Sequence, residues 1–321
     1  MPVALVTGAC GQDGSYLLDR LLAEGYAVCA LVRPADAPAL AIRGGAVECV
    51  EVDLADRARL AEVVSQVDPD EIYNLGGVSS VAQSWQEPEL TAEVCGLAAL
   101  TLLHAAHELD ERRGPQRPVR FLQASSAEIF GEPATTPQDE STPVRPVSPY
   151  GTAKAFAQHS VGLYRRRGLF AASAILYNHE SPRRPATFVT RKITTAVARI
   201  HRDGAGTLAL GNLAARRDWG WAPDYVDAMV RACRHTEPLD VVVATGVAHS
   251  VEDFVAAAFT HVGITQWRSH VVIDPAFFRP ADPRVLVGNA ALARRALGWT
   301  PTIDFTQLVA AMVDADLCEK R

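Results

Sequence analysis

The sequence predicts a doubly wound α/β fold: a parallel sheet covered by helices on both faces, with a smaller C-terminal lobe interleaved with it. Short β-branched or apolar runs alternate with longer helical patterns through the first half, and a glycine-rich turn stands at the first strand-to-helix junction. With 321 residues the chain is too long for one small core. It suits one large α/β unit or two lobes sharing a cleft. The predicted strands are residues 3–7, 27–32, 47–53, 71–75, 120–125 and 169–177. Helical patterns fall between them at 14–24, 57–67, 89–109 and 150–167, with Gly25 as a C-cap after the first. From about Ser181 the alternation gives way to a Pro/Arg-rich stretch, a helix over 188–202 and a short β segment near 207–210.

Composition narrows the classes. Hydrophobic residues make up 48% and charged residues 21%, and no apolar run approaches the roughly 20 residues needed to span a bilayer. The N-terminus runs from Met1 straight into a strand-like segment, without the basic flank and cleavage site of a signal peptide. A cytoplasmic protein with no membrane partner is expected. A net charge of −6 argues against a nucleic-acid surface, so an anionic ligand must be caught by a local arginine cluster. The six cysteines are scattered singly, which predicts reduced, mostly packed thiols and no metal site.

Thr7-Gly8-Ala9-Cys10-Gly11-Gln12-Asp13-Gly14 follows the first strand and opens the first helix. Glycines stand where a tight turn, close backbone approach and helix packing each exclude a side chain, and the helix N-terminus offers N–H groups to a pyrophosphate. A nicotinamide dinucleotide is therefore predicted, held by Gly8, Cys10, Gly11, Gln12, Asp13 and Gly14. The expected division is residues 1–180, mainly dinucleotide-binding, and 181–321, mainly a substrate lobe with segments returning to the sheet. Arg33, behind the second strand, either meets a ribose 2′-phosphate or is a solvated loop cation. Asp53 and Leu54 end the third strand; Asp53 either meets the adenine or caps the next helix.

Tyr150-Gly-Thr-Ala-Lys154 opens a helix, and its spacing puts the phenol and the ammonium on one face. A lysine beside a phenol favours the phenolate, which predicts a tyrosine base near neutral pH. Ser125-Ser126-Ala-Glu128 ends a preceding strand.

These three motifs are similar to those of the extended short-chain dehydrogenase/reductases, a Rossmann-type family. In finer detail the chain resembles the GDP-mannose 4,6-dehydratases. Tyr177-Asn-His-Glu-Ser-Pro-Arg-Arg184 and Phe188-Val-Thr-Arg-Lys192 carry that resemblance, with Glu71-Ile-Tyr-Asn-Leu75, Gln123-Ala-Ser125, Arg217-Asp-Trp-Gly220, Asp274-Pro-Ala-Phe-Phe-Arg-Pro280 and Leu297-Gly-Trp299. It implies catalysis by Ser126, Glu128, Tyr150 and Lys154. It also implies cofactor contacts from Leu75, Gly76, Gly77, Ser79, Tyr150, Lys154, His179 and Arg184. The sugar-nucleotide cleft is then lined by Ser79, Ser126, Glu128, Tyr150, Asn178, Lys192, Arg217 and Arg279, whose arginine forks suit a diphosphate. Arg183, Arg191 and Arg216 are expected in solvent or in ion pairs. The implied reaction is a hydro-lyase cycle on a nucleotide sugar, GDP-mannose by family. A 4-reductase or epimerase is disfavoured by Glu128, and a non-enzymatic dinucleotide sensor by the intact Tyr, Lys and Glu.

Three features depart from the family pattern. Serine stands at 126 where threonine is usual, Gly76-Gly-Val-Ser-Ser80 replaces an Ala-Gln-Ser-His type, and the segment after Arg33 is shortened, with Asp36 close by. NADP is expected by family, with NAD as the alternative. Because the resemblance places tetramer contacts in that shortened loop, it implies a homodimer built on helices 89–109 and 150–167 rather than a tetramer.

Overall fold

The computed structural model describes residues 1–36, 47–278 and 285–318. Seven parallel strands form the main sheet: β1 (Val3–Thr7), β2 (Ala27–Val32), β3 (Val47–Glu51), β4 (Glu71–Asn74), β5 (Arg120–Ser126), β6 (Phe170–Leu176) and β10 (Asp240–Val243). Their spatial order is β10-β6-β5-β4-β1-β2-β3. The chain thus winds outward from β1 in one direction, returns to β4 and winds outward in the other. The six predicted strands are all present, with ends shifted by at most two residues. The seventh, β10, is drawn from the second half of the chain.

Side chains of the central strands are buried on both faces, as parallel strands between helical layers require. Ala4, Val6, Leu122 and Ala124 pack with Leu17, Leu21, Val226 and Met229 on one side. Leu5, Ile72 and Phe121 pack with Leu60, Leu102 and Val161 on the other. The helix Gln12–Ala23 ends as predicted, with Gly25 at a positive φ of 79° just beyond its last turn.

Helix Pro88–Arg113 is one element, interrupted by a π turn at Glu93–Leu97. It corrects the expectation from apolar runs: by length and composition it could cross a membrane, with an 18-residue window of mean hydropathy 1.3. That window is 61% buried inside the protein, because its small and aliphatic residues form one wall of the core.

Two small sheets complete the fold. In one, β9 (Arg216–Trp221) pairs with β7 (Asn178–Glu180), β11 (Ala248–Ser250) and β13 (Val285–Leu286); in the other, β8 (Leu208–Leu210) pairs with β12 (Val271–Ile273). Their own core gathers Ile193, Val197, Trp219, Phe254 and Met312. Trp299 locks the helix Ala222–Cys233 to the C-terminal segment, its indole N–H donating 2.7 Å to the Asp224 carbonyl. Buried Asp218 accepts from the Thr245 and Gly246 N–H groups at 2.8 Å, which ties β9 to the loop after β10.

Candidate active site

A cleft of about 650 Å³ opens at the C-terminal edge of the main sheet, at the point between β1 and β4 where the strand order reverses. The glycine loop is its floor. Gly8 has a φ of 68°, and a Cβ there would stand 2.8 Å from the Gly76 nitrogen. A Cβ on Gly14 would run into the Gly8 carbonyl. Gly11 precedes the helix Gln12–Ala23 without a side-chain cap, which leaves its first-turn N–H groups uncapped, as an anion site requires. A cradle this closely packed fits a pyrophosphate.

The side chains of the loop are used inside the protein. The Gln12 amide donates to the His179 carbonyl at 3.0 Å and accepts from the Ser181 hydroxyl at 2.9 Å. Half-buried Cys10 donates to the Asp36 carbonyl at 3.5 Å. Asp13 reaches the cleft wall and meets His179 Nε2 at 2.8 Å, while His179 Nδ1 meets the Tyr177 carbonyl at 2.7 Å and its ring stacks on Tyr225. Burial opposes charge on both groups, yet each holds the other's charge in place. The Asp13 carboxyl lies below its usual value, helped by Arg184, and the His179 imidazole lies above its own.

At the catalytic end, Ser126 ends β5 and accepts from the Glu128 N–H at 3.2 Å, capping a short 3-10 turn. Its hydroxyl faces the Tyr150 phenol and pulls its pKa down. Tyr150 stands in the first turn of helix Pro149–Arg166, whose N-cap Ser148 accepts from the Gly151 N–H at 3.0 Å. Glu128 faces the same cleft. Lys154 is buried, donates 2.8 Å to the Ala124 carbonyl and keeps its Nζ 5.8 Å from the centre of the Tyr150 ring. Burial pushes the Tyr150 phenol above its ordinary value, while Lys154 and Ser126 pull it down, as expected of a lysine beside a phenol.

Leu75, Gly77 and Ser79 line the cleft beneath this cluster, with Asn178, Arg184, Lys192 and Arg217 on the far wall. Gly76 is buried just behind, its N–H donating to Thr7 Oγ1 at 2.8 Å. Arg184 lies over the Phe188 ring and 3.3 Å from the buried Glu180 carboxylate. Lys192 lies over Phe277, and its partial burial lowers its pKa. Arg279 lies outside the described residues.

The ribose end is less settled around a ligand. Arg33 points outward with its side chain 72% exposed, paired with Asp36 at 2.8 Å across a turn. Asp53 accepts from the Ala55 N–H at 2.9 Å, and Asp56 instead caps the helix Arg57–Val67, so of the two roles predicted for Asp53 the cap is taken by a neighbour. Half-buried Leu54 packs under Gly76. The three arginines expected in ion pairs are found so: Arg183 with Asp19, Arg191 with Asp316, and Arg216 with Asp253.

Two residues escaped the sequence reading. Buried Ser125 lines the cleft with a hydroxyl that has no partner among the described residues, and Glu180 supports Arg184. Both sit inside quoted motifs, but neither residue type announces its orientation.

A sequence model of GDP-mannose 4,6 dehydratase matches residues 5–312. The chain belongs to the GDP-mannose 4,6-dehydratase family. A GDP-mannose 4,6 dehydratase of Arabidopsis thaliana is 42% identical over 98% of this chain and 87% of its own. The GDP-mannose 4,6 dehydratase of Homo sapiens is 41% identical over 98% and 91%. Among solved structures, the UDP-glucose 4-epimerase of Thermus thermophilus in complex with NAD superposes with a TM-score of 0.82 at 26% identity, covering 98% of each chain. In this dehydratase-family member the fold is similar to that of an epimerase.

The Asp13–His179 pair gives a pH signature. A raised histidine contributes stability below its ordinary 6.5 and loses it as pH rises through the folded value. A lowered aspartate contributes above its ordinary 3.8 and loses it as pH falls. Asp13→Asn is therefore expected to lower the urea midpoint more at about pH 6 than at about pH 9; equal losses at both would refute the pair.

Proposed function

We propose that this dehydratase converts GDP-mannose to GDP-4-keto-6-deoxymannose with loss of one water. The observation that carries the reading is a carboxylate, Glu128, facing the same cleft as Ser126, Tyr150 and Lys154. Reduction or epimerisation at C4 needs only the hydroxyl, the phenol and the lysine, whereas elimination needs a base over C5.

Tyr150 takes the C4 hydroxyl proton. Its raised pKa calls for nearby positive charge when it acts, and Lys154 supplies part of it. When bound, the nicotinamide would accept the C4 hydride and give it back at C6. Ser126 donates to the C4 oxygen as charge develops there, an effect worth roughly 3 to 4 kcal/mol for one preorganised donor. The resulting C4 ketone acidifies C5. Glu128 removes the C5 proton and passes a proton to the departing C6 hydroxyl, and as C6 is reduced C5 takes up the proton that Tyr150 gained from the C4 hydroxyl, so both residues return to their starting states. The cycle closes without an external oxidant. Asn178, Lys192 and Arg217, with Arg279, are read as the nucleotide-sugar wall, where cations meet a diphosphate.

NADP is the proposed cofactor. The reading rests on a cation, Arg33, at the end of β2, and it requires Arg33 to exchange Asp36 for the 2′-phosphate. A homodimer is proposed on helices Pro88–Arg113 and Pro149–Arg166. Both helices leave large apolar side chains in solvent, with Leu90 39% exposed on the first and Phe156 44% and Leu163 53% on the second, beside an apolar groove of about 700 Å³. Such a surface is unusual on a monomer.

Incubation with GDP-mannose is expected to yield a product lighter by one water. Glu128→Gln should lower that turnover by about 10²- to 10⁴-fold with cofactor still bound; undiminished turnover would remove Glu128 from the mechanism. NADP is expected to bind more tightly than NAD, and Asp36→Asn to tighten NADP alone, so a clear preference for NAD overturns the cofactor reading. Light scattering should give the mass of two chains, and Leu163→Glu the mass of one; a stable tetramer contradicts the interface.

A further inference from the structure

Beneath the cleft, five hydrogen bonds run in a single row from Gly76 to the catalytic lysine. The Gly76 N–H donates to Thr7 Oγ1 at 2.8 Å, and the Thr7 hydroxyl donates to Asn74 Oδ1 at 2.7 Å. Asn74 Nδ2 donates to Gln123 Oε1 at 2.8 Å, and Gln123 Nε2 donates to the Ala124 carbonyl at 2.9 Å. That carbonyl is also the seat of Lys154 Nζ, at 2.8 Å. Thr7, Asn74 and Gln123 are all at most 2% exposed.

The direction of the row follows from its ends. A carbonyl oxygen only accepts, so Gln123 must turn its NH₂ to Ala124 and its oxygen to Asn74. Asn74 must then turn its NH₂ to Gln123 and its oxygen to Thr7. Thr7 in turn accepts from a backbone N–H that only donates. No amide can flip without setting acceptor against acceptor. β4 ends at Asn74, opposite Gln123, and Ala124 lies one residue beyond that last pair. Its carbonyl is held by side chains, from Gln123 and Lys154. In a buried setting such bonds reinforce one another, and an unmet partner is costly.

We propose that Gln123 is a positioning residue of the dehydratase reaction: through the row it shares with Asn74 and Thr7, it fixes the Ala124 carbonyl that seats Lys154, and so ties the lysine to the Gly8–Gly76 loops. The inference rests on the reading of Lys154 as catalytic. The groups that face the Lys154–Tyr150 pair are Ser126, Glu128 and Cys95.

The test is Gln123→Met, near-isosteric and without hydrogen-bonding groups, assayed beside wild type and Lys154→Met. Loss of the seat should lower kcat by about tenfold or more while KM for GDP-mannose stays within about threefold. Because Lys154 pulls the Tyr150 phenol down, the rising limb of kcat against pH should also move to higher pH by about half a unit or more. A merely structural role would lower the melting temperature and leave that limb in place. Wild-type kcat, or an unmoved limb, in folded Gln123→Met overturns the inference. Should that variant fail to fold, Asn74→Met, which removes the next member of the row, is read by the same criteria. Wild-type turnover in Lys154→Met would overturn the reading of Lys154 itself, whereas a disabled Lys154→Met beside an unaffected Gln123→Met defeats only the present inference.

Discussion

The structure depends on the backbone of Gly8 lying directly against that of Gly76. The two loops leave β1 and β4 at the place where the strand order turns around, and only glycine tolerates both the positive φ at Gly8 and the close approach. That contact opens the crevice at the sheet's edge and aims the N-terminus of helix Gln12–Ala23 into it. Thr7 and Asn74 extend the same seam inward as hydrogen bonds. Cofactor floor and catalytic strand are thus one rigid unit.

Charge in the site is managed by pairing. The Asp13–His179 pair ties the first helix to the segment after β6, and Glu180 sits behind Arg184 with Thr190 donating to it at 2.7 Å. Burial penalises a charge that lacks a partner. At Tyr150 burial outweighs the pull of Lys154, and the phenol lies above its ordinary value. An acidic chain thereby presents a cleft that brings cations and the Tyr150 phenol together.

Much of the site was legible because its motifs are local. The turn Thr7–Gly14, the strand end at Ser126 and Glu128, and the helix start at Tyr150 are each contiguous, and each element forms where its residues predict. Other assignments depended on competition between near neighbours or on packing from elsewhere in the fold. Asp53 gives up the helix cap because Asp56 stands one turn later, and Arg33 is met by Asp36 across a turn. The apolar helix Pro88–Arg113 is a core element only because the sheet and helix Pro149–Arg166 cover it.

By itself the sequence determined the order of strands and helices, the glycine cradle and the family of the reaction, since these follow from periodicity, from conformations open to glycine alone, and from contiguous motifs. Only the tertiary structure decided where Lys154 places its charge, that β10 closes the sheet from the second half of the chain, and that Gln123 joins Asn74 beneath the lysine. Those outcomes rest on contacts between residues tens of positions apart, and a hydrogen bond's direction is fixed only when both of its ends are in place.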